Sequence, residues 1–285
     1  MVVNFQVRTL ITILFCCGSF FGQPGKASAD VIFEGYYKIK LGSTHAGYAI
    51  QRYEFDSKKS RFKSTYFIQT NKILGNLQES VVAFATDKFK PIKYQYTTKV
   101  GEAFKTVDAT FDKQMMMAKV SNGKDVNPIS RQVPEGTFLS TFLGYVMLQN
   151  GYQIEKKYSY KAVAEEDAKA YEGSALIKEE TKYKGESVYR ILNDFKNSRF
   201  VSLVSKKGEV LSTASPVQKI STELVKQPVE ATKGFQLPQQ SLKILFGGVP
   251  IGKKNLFHPV EQPNKPKPLA STAKKADNKK KKSSK

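Results

Sequence analysis

Along much of the chain, apolar and polar side chains alternate one for one. Val107, Ala109 and Phe111 interleave with Asp108, Thr110 and Asp112. Ile92, Tyr94 and Tyr96 interleave with Lys93, Gln95 and Thr97, and Phe33, Tyr37, Ile39 and Leu41 lie opposite Glu34, Lys38 and Lys40. A period of two places one set on a buried face and the other in water, which is the signature of half-buried strands. Asn122-Gly123 predicts a tight hairpin, because both residues tolerate positive φ. Further turns are expected at Gly42 to Gly47, Lys58 to Ser60, Gly101, Lys184-Gly185, Asn197-Ser198 and Lys207-Gly208. Their spacing suits long strands connected up and down.

One segment breaks the alternation. Residues 135–149, EGTFLSTFLGYVMLQ, follow Pro134 and precede Asn150-Gly151, which are start and stop signals for a helix. Phe138, Phe142 and Tyr145 form one helical stripe, and Leu139, Leu143 and Val146 form the next. A helix apolar on most of its faces is buried, and one this short does not span a bilayer. The pattern predicts a mainly β fold: a curved antiparallel sheet or half-barrel of long up-and-down strands, with this helix packed on the concave face. Whether the sheet closes is left open. Met115-Met116-Met117 crosses both faces of a strand. Thioethers adapt to irregular ligands, so Met115 and Met117 join Phe138, Leu139, Phe142, Leu143 and Val146 as the expected lining of an apolar pocket.

The ends of the chain change the picture. Arg8, an apolar run from Thr9 to Phe21 and the small residues Ala27-Ser28-Ala29 read as a signal peptide over 1–29, cleaved before Asp30. Both cysteines, Cys16 and Cys17, fall inside it, so the exported chain is expected to hold no disulfide, thiolate or Cys-ligated metal. The sequence carries 46 Lys+Arg against 25 Asp+Glu, a formal charge of +21. Residues 253–285 contain 11 Lys and only Glu261 and Asp277 as acids. That segment has few apolar residues and is expected to be a disordered Lys/Pro-rich tail. Residues 30–252 form the β domain. Lys274, Lys275 and Lys279 to Lys282 (Lys279, Lys280, Lys281, Lys282) are the candidate contacts for an anionic polymer or membrane surface.

The segment GYYKIKLGSTHAGYAIQRYEF resembles the first hairpin of a group of exported bacterial proteins of unknown function. PEGTFLSTFLGYVMLQNG is similar to their central helix, and KKGEVLSTASP to their last strands. The group is similar in outline to the lipoprotein-carrier half-barrels LolA and LolB, which hold acyl chains between a curved sheet and inner helices. The resemblance implies a place in the periplasm or cell envelope of a bacterium with an outer membrane. It implies no catalytic residue.

The residues themselves give little sign of catalysis. His45, in GSTHAG, has no indicated carboxylate partner or nucleophile, and His258 sits in the basic tail. Two such separated histidines do not suggest a zinc site, and no metal or cofactor is expected. Glu165-Glu166-Asp167 and Glu179-Glu180 read as solvated charge, and adjacent strand residues point to opposite faces, so Glu179 and Glu180 do not pair across a cleft. Lys and Tyr interleave over 88–99 and 155–163; Tyr is expected to face the core and Lys the water, and a nucleic acid partner is not expected. The chain is therefore read as a non-enzymatic exported envelope protein. Its concave sheet is expected to bind a lipid or an apolar segment of another protein. The alternative is a structural or adaptor protein held on anionic envelope polymers by its tail.

Overall fold

A computed structural model describes residues 29–123 and 125–252. The expected signal peptide over 1–29 (apart from Ala29) and the basic tail over 253–285, with Lys274, Lys275, Lys279, Lys280, Lys281 and Lys282, lie outside the described residues.

Eight strands follow one another by short turns: β1 (Asp30–Leu41), β2 (Thr44–Asp56), β3 (Arg61–Thr70), β4 (Leu77–Thr86), β5 (Pro91–Val100), β6 (Ala103–Asp112), β7 (Met115–Asn122) and β8 (Asp125–Gln132). A two-residue strand, β9 (Phe138–Leu139), leads through a 3-10 turn, Ser140–Phe142, into α1 (Leu143–Asn150). The chain then returns through β10 (Lys157–Ala164), β11 (Lys169–Tyr183), β12 (Glu186–Phe195), β13 (Ser198–Ser205), β14 (Val210–Ser215) and β15 (Ile220–Val225). Two helices finish the described chain, α2 (Pro228–Thr232) and α3 (Gln239–Phe246).

All fifteen strands join one curved sheet in the order β8-β7-β6-β5-β4-β3-β2-β1-β15-β14-β13-β12-β11-β10-β9. Neighbours are antiparallel except β9 and β10, which run parallel. Because β15 pairs with β1, the sheet is open at a single seam, between β8 and β9, which are consecutive in the chain. Side chains from the β8 side reach across that seam. Arg131 Nη1 donates to the Ala168 carbonyl at 3.2 Å, and Lys105 Nζ to the Glu166 carbonyl at 2.7 Å. The sheet is thus barrel-like without being hydrogen-bonded all the way round.

The expected turns set the register. Gly42, Gly101, Gly123, Gly185 and Gly208 all have positive φ, the conformation that costs glycine least. Tyr94, Tyr96, Val107 and Ala109 are buried, as alternation requires, while Lys93 and Gln95 face water.

The helical plug is shorter than 135–149. Gly136 has φ 75°, outside the helical range, and Thr137 folds back to bond the Pro134 carbonyl. Phe138 and Leu139 then pair with Ala162 and Val163 of β10. An edge strand was available to satisfy their backbone groups, and that pairing displaced the first turns of the expected helix.

α1 lies on the inner side. Phe142 and Tyr145 pack among Tyr53, Phe62 and Phe89, with Phe62 stacked on Phe89 at 4.9 Å and Tyr53 edge-on to Tyr145 at 4.6 Å. Thr141 ties the plug to the sheet: its carbonyl accepts from Tyr53 Oη at 2.7 Å, and its hydroxyl bonds Ser64 Oγ at 2.7 Å. On the opposite side, Leu242 and Phe246 of α3 and Ala231 of α2 pack on Tyr36, Tyr48, Ile50 and Phe67. Strands β1–β3 are therefore covered on both faces. No helix among the described residues is long and apolar enough to cross a membrane.

Candidate functional site

The expected apolar pocket joined side chains that the structure separates. Phe138, Leu139 and Phe142 are buried in the inner core, with Leu143 and Val146 packed against it. Met116 belongs to that core and is fully buried, whereas Met115 and Met117 are 41% and 49% exposed. In β7 the even positions face the plug and the odd positions face away. Met115 and Met117 therefore do not line a pocket with the helix; the parity of the methionine run was assigned to the wrong face.

The interior is mostly filled. Between α1 and strands β1–β3, β14 and β15 there remains a cavity of about 190 Å³, with Tyr37, Tyr53, Tyr66 and Tyr145 in its walls. Burial, above all, pushes the hydroxyls of all four tyrosines up from their ordinary range, so they stay neutral. The cavity is smaller than the roughly 300–1,000 Å³ of ordinary small-molecule clefts.

The larger depression lies on the other face, across β4–β8, with a volume of about 960 Å³. Register builds it. Phe84 pairs with Lys93, Lys93 with Thr110, Thr110 with Met117 and Met117 with Ser130. The adjacent row runs Val82, Gln95, Asp108, Lys119, Pro128. These side chains alternate with the inward-facing Ala83, Tyr94, Ala109 and Ala118, so they share the face turned away from α1. Val82, Phe84, Met117 and Pro128 supply apolar surface, and Lys93 and Lys119 supply positive charge. Lys93 Nζ and Arg61 Cζ lie 5.1 and 5.3 Å from the Phe84 ring centre, within cation–π range. Neither α2 nor α3 packs on this wing of the sheet. The lining could have been read from the alternation at 93, 95, 108 and 110, but not the depression that these side chains surround.

The acidic run does not behave as solvated charge throughout. Glu165 is 3% exposed and accepts from Ser140 Oγ at 2.5 Å and Thr141 N at 3.2 Å, at the start of the plug's helical segment. A carboxylate there suits the helix N-terminus, yet burial dominates and pushes its pKa up to about 7. Glu166 and Asp167 share the Lys196 ammonium. Glu179 and Glu180 stay at the surface, paired with Arg190 and Lys206. His45 bonds the Gly47 carbonyl at 3.0 Å and packs by the Phe235 ring at 5.2 Å. Burial, chiefly, lowers its pKa, and no carboxylate among the described residues bonds it. Among the described residues no three His, Cys, Asp or Glu side chains converge as a possible metal site.

The family model described as "Protein of unknown function (DUF3108)" matches residues 36–214. A solved β-barrel-like protein of the domain of unknown function DUF1849, from Brucella abortus, is similar in fold with a TM-score of 0.50. The two share 12% sequence identity over 68% of this chain and 95% of the other, a likeness of fold alone. No curated protein matches the chain.

Proposed function

The chain belongs to the DUF3108 family of proteins of unknown function, and from that footing we propose that it is a non-enzymatic exported envelope protein that binds the apolar chain of an anionic lipid. The trough on the outer face of β4–β8 carries this reading: apolar Val82, Phe84, Met117 and Pro128 share a volume of about 960 Å³ with the charged Lys93, Asp108 and Lys119. Each buried methylene contributes about 0.8 kcal/mol. A tail of ten would gain on the order of 8 kcal/mol if fully covered, less in a half-open trough and after the cost of association. The lysines would meet the acid head, which is a reason to prefer an acidic amphiphile over a neutral one. As in LolA and LolB, the acyl chain would lie against a curved sheet. It would do so on the outer face, since only about 190 Å³ is left beneath the helix.

A second reading rests on the 11 Lys of residues 253–285: the tail holds the protein on an anionic polymer or membrane surface. The two readings are compatible, the tail concentrating the protein where its lipid lies.

Native mass spectrometry of the gently purified exported form, with uptake of a fluorescent fatty acid, tests the lipid reading. Bound lipid and probe uptake are expected in the wild type, with at least a tenfold loss in Met117→Glu. Met117 is half exposed, so that variant keeps the fold. An empty protein that takes up no probe, or uptake unchanged in Met117→Glu, would overturn it.

A further inference from the structure

The small inner cavity has a composition unlike the rest of the molecule. Ala49 in the sheet floor and Gly144 on α1 are small where their neighbours are large, which leaves the space open. Around that space stand the rings of Tyr37, Tyr53, Tyr66 and Tyr145, with Phe33 completing an aromatic wall. Its one charged group is Glu209. Ser205 Oγ donates to Glu209 Oε2 at 3.0 Å, and no Lys or Arg pairs with this carboxylate among the described residues. In a chain with 46 basic residues against 25 acidic ones, a cavity walled by electron-rich rings and a single unpaired carboxylate, with no Lys or Arg in its lining, selects for a cation.

The cation must also carry apolar surface and lack strong hydrogen-bonding needs, because five of the twelve lining residues are aromatic and only Gln51, Thr222 and Glu209 add polar side chains beside the tyrosine hydroxyls. An apolar cavity of about 150 Å³ holds a benzene molecule, so about 190 Å³ holds four carbons around a nitrogen with little to spare. Rings attract such a cation through their negative faces. We infer that this cavity is a binding site for a quaternary ammonium group of the choline type, with Tyr37, Tyr53, Tyr66 and Tyr145 as the cage and Glu209 as the counter-ion. The site is separate from the outer trough and stands whether or not the trough binds lipid.

Titration calorimetry with choline and tetramethylammonium tests it on the full exported chain. Millimolar or tighter binding is expected, and at least tenfold weaker binding of 3,3-dimethylbutan-1-ol, which has choline's shape without its charge. Glu209→Gln should weaken choline at least tenfold. Gly144→Leu should abolish binding while keeping the fold, because a Cβ at 144 meets nothing closer than the Gly208 carbonyl at 4.0 Å and the longer side chain fills the cavity. Circular dichroism checks that both variants fold, and if Gly144→Leu does not, Glu209→Gln alone decides. Flotation with phosphatidylcholine against phosphatidylglycerol vesicles of equal size tells the source of the group: retention on the former that free choline competes away marks a lipid head group, and its lack beside calorimetric binding marks a free cation. No heat with either cation, equal binding of the neutral alcohol, or unchanged binding in Glu209→Gln would overturn the inference.

Discussion

Glu34 and Arg52, cross-strand partners on β1 and β2, form a buried ion pair that grips the end of the described chain. Glu34 is 6% exposed; its Oε2 accepts from Arg52 Nε at 2.6 Å, and its Oε1 accepts from Ile251 N and Gly252 N at 2.6 and 2.8 Å. Arg52 Nη1 in turn donates to the Phe246 carbonyl at 2.5 Å, at the C-terminal end of α3, and the guanidinium lies 5.1 Å from the Phe246 ring centre. A cation at a helix C-terminus complements its dipole. Little of either charge reaches water, so the pair and its backbone partners are strongly coupled.

Removing one partner is therefore costly. Glu34→Ala should destabilise the fold by about 3–5 kcal/mol, because it leaves the Arg52 charge buried and two amides unmet. Glu34→Leu combined with Arg52→Met should recover the part due to the stranded charge, while the two amides stay unmet. Denaturant unfolding measures the first effect. Hydrogen exchange at residues 251 and 252 should accelerate in the single variant before global stability is lost.

Glu165 makes stability depend on pH. Its folded-state pKa of about 7 lies above its ordinary value of 4.5. The folded chain thus holds this proton more tightly than the unfolded chain. The contribution is complete below about pH 4.5 and is lost as pH rises through about 7, amounting to about 3 kcal/mol across that window. Glu79, half-buried on β4, is shifted the same way, chiefly by desolvation. Thermal unfolding between pH 5 and 8 should show the decline. Glu165→Gln should flatten it, while the surface variant Glu179→Gln should leave the slope as in the wild type.

The sheet was legible because alternation and turn chemistry are local: Tyr94 and Lys93 declare their faces without reference to any other strand, and Gly123 declares its turn. Phe138 and Leu139 were legible as core residues but not as strand, since their pairing depends on Ala162 and Val163, more than 20 residues on. Glu165 was hidden for the same reason. It opens a run of three acids, Glu165 to Asp167, and its bonds come from Ser140 and Thr141, more than 20 residues back. The methionine run failed at parity: three identical residues carry no periodicity, so only the register with Phe111 shows that Met116 is the inward one. Leu242 and Phe246 cover Tyr36, Tyr48, Ile50 and Phe67, a choice of face set by long-range packing rather than by local pattern.

A close approach between strands gives a sharper packing test. Tyr160 lies directly across from Gly173, and its ring occupies the space where a Cβ at 173 would be. The ring is held there by Phe138 and Phe195, at 5.6 and 6.0 Å. Gly173→Val should cost about 1–3 kcal/mol through overpacking, and lower Tm by about 2–4 °C for each kcal/mol in a domain of this size. Adding Tyr160→Ala should make the valine nearly harmless, since it removes the ring that the new side chain strikes.

Deletion of residues 253–285 separates the two proposed attachments. Each Lys close to an anionic surface adds about 1 kcal/mol, and the effect fades over a Debye length of about 8 Å at physiological salt. With 11 Lys and two acids in the segment, the intact chain should sediment with anionic vesicles at low salt and release steeply as salt rises. The truncated chain should show weak binding with a shallow salt slope, while keeping its uptake of a fluorescent fatty acid in the trough. Vesicle binding that survives truncation with the same salt slope would remove the tail from the account. Fatty-acid uptake lost on truncation, with the fold intact by circular dichroism, would instead mean that the tail takes part in holding the lipid.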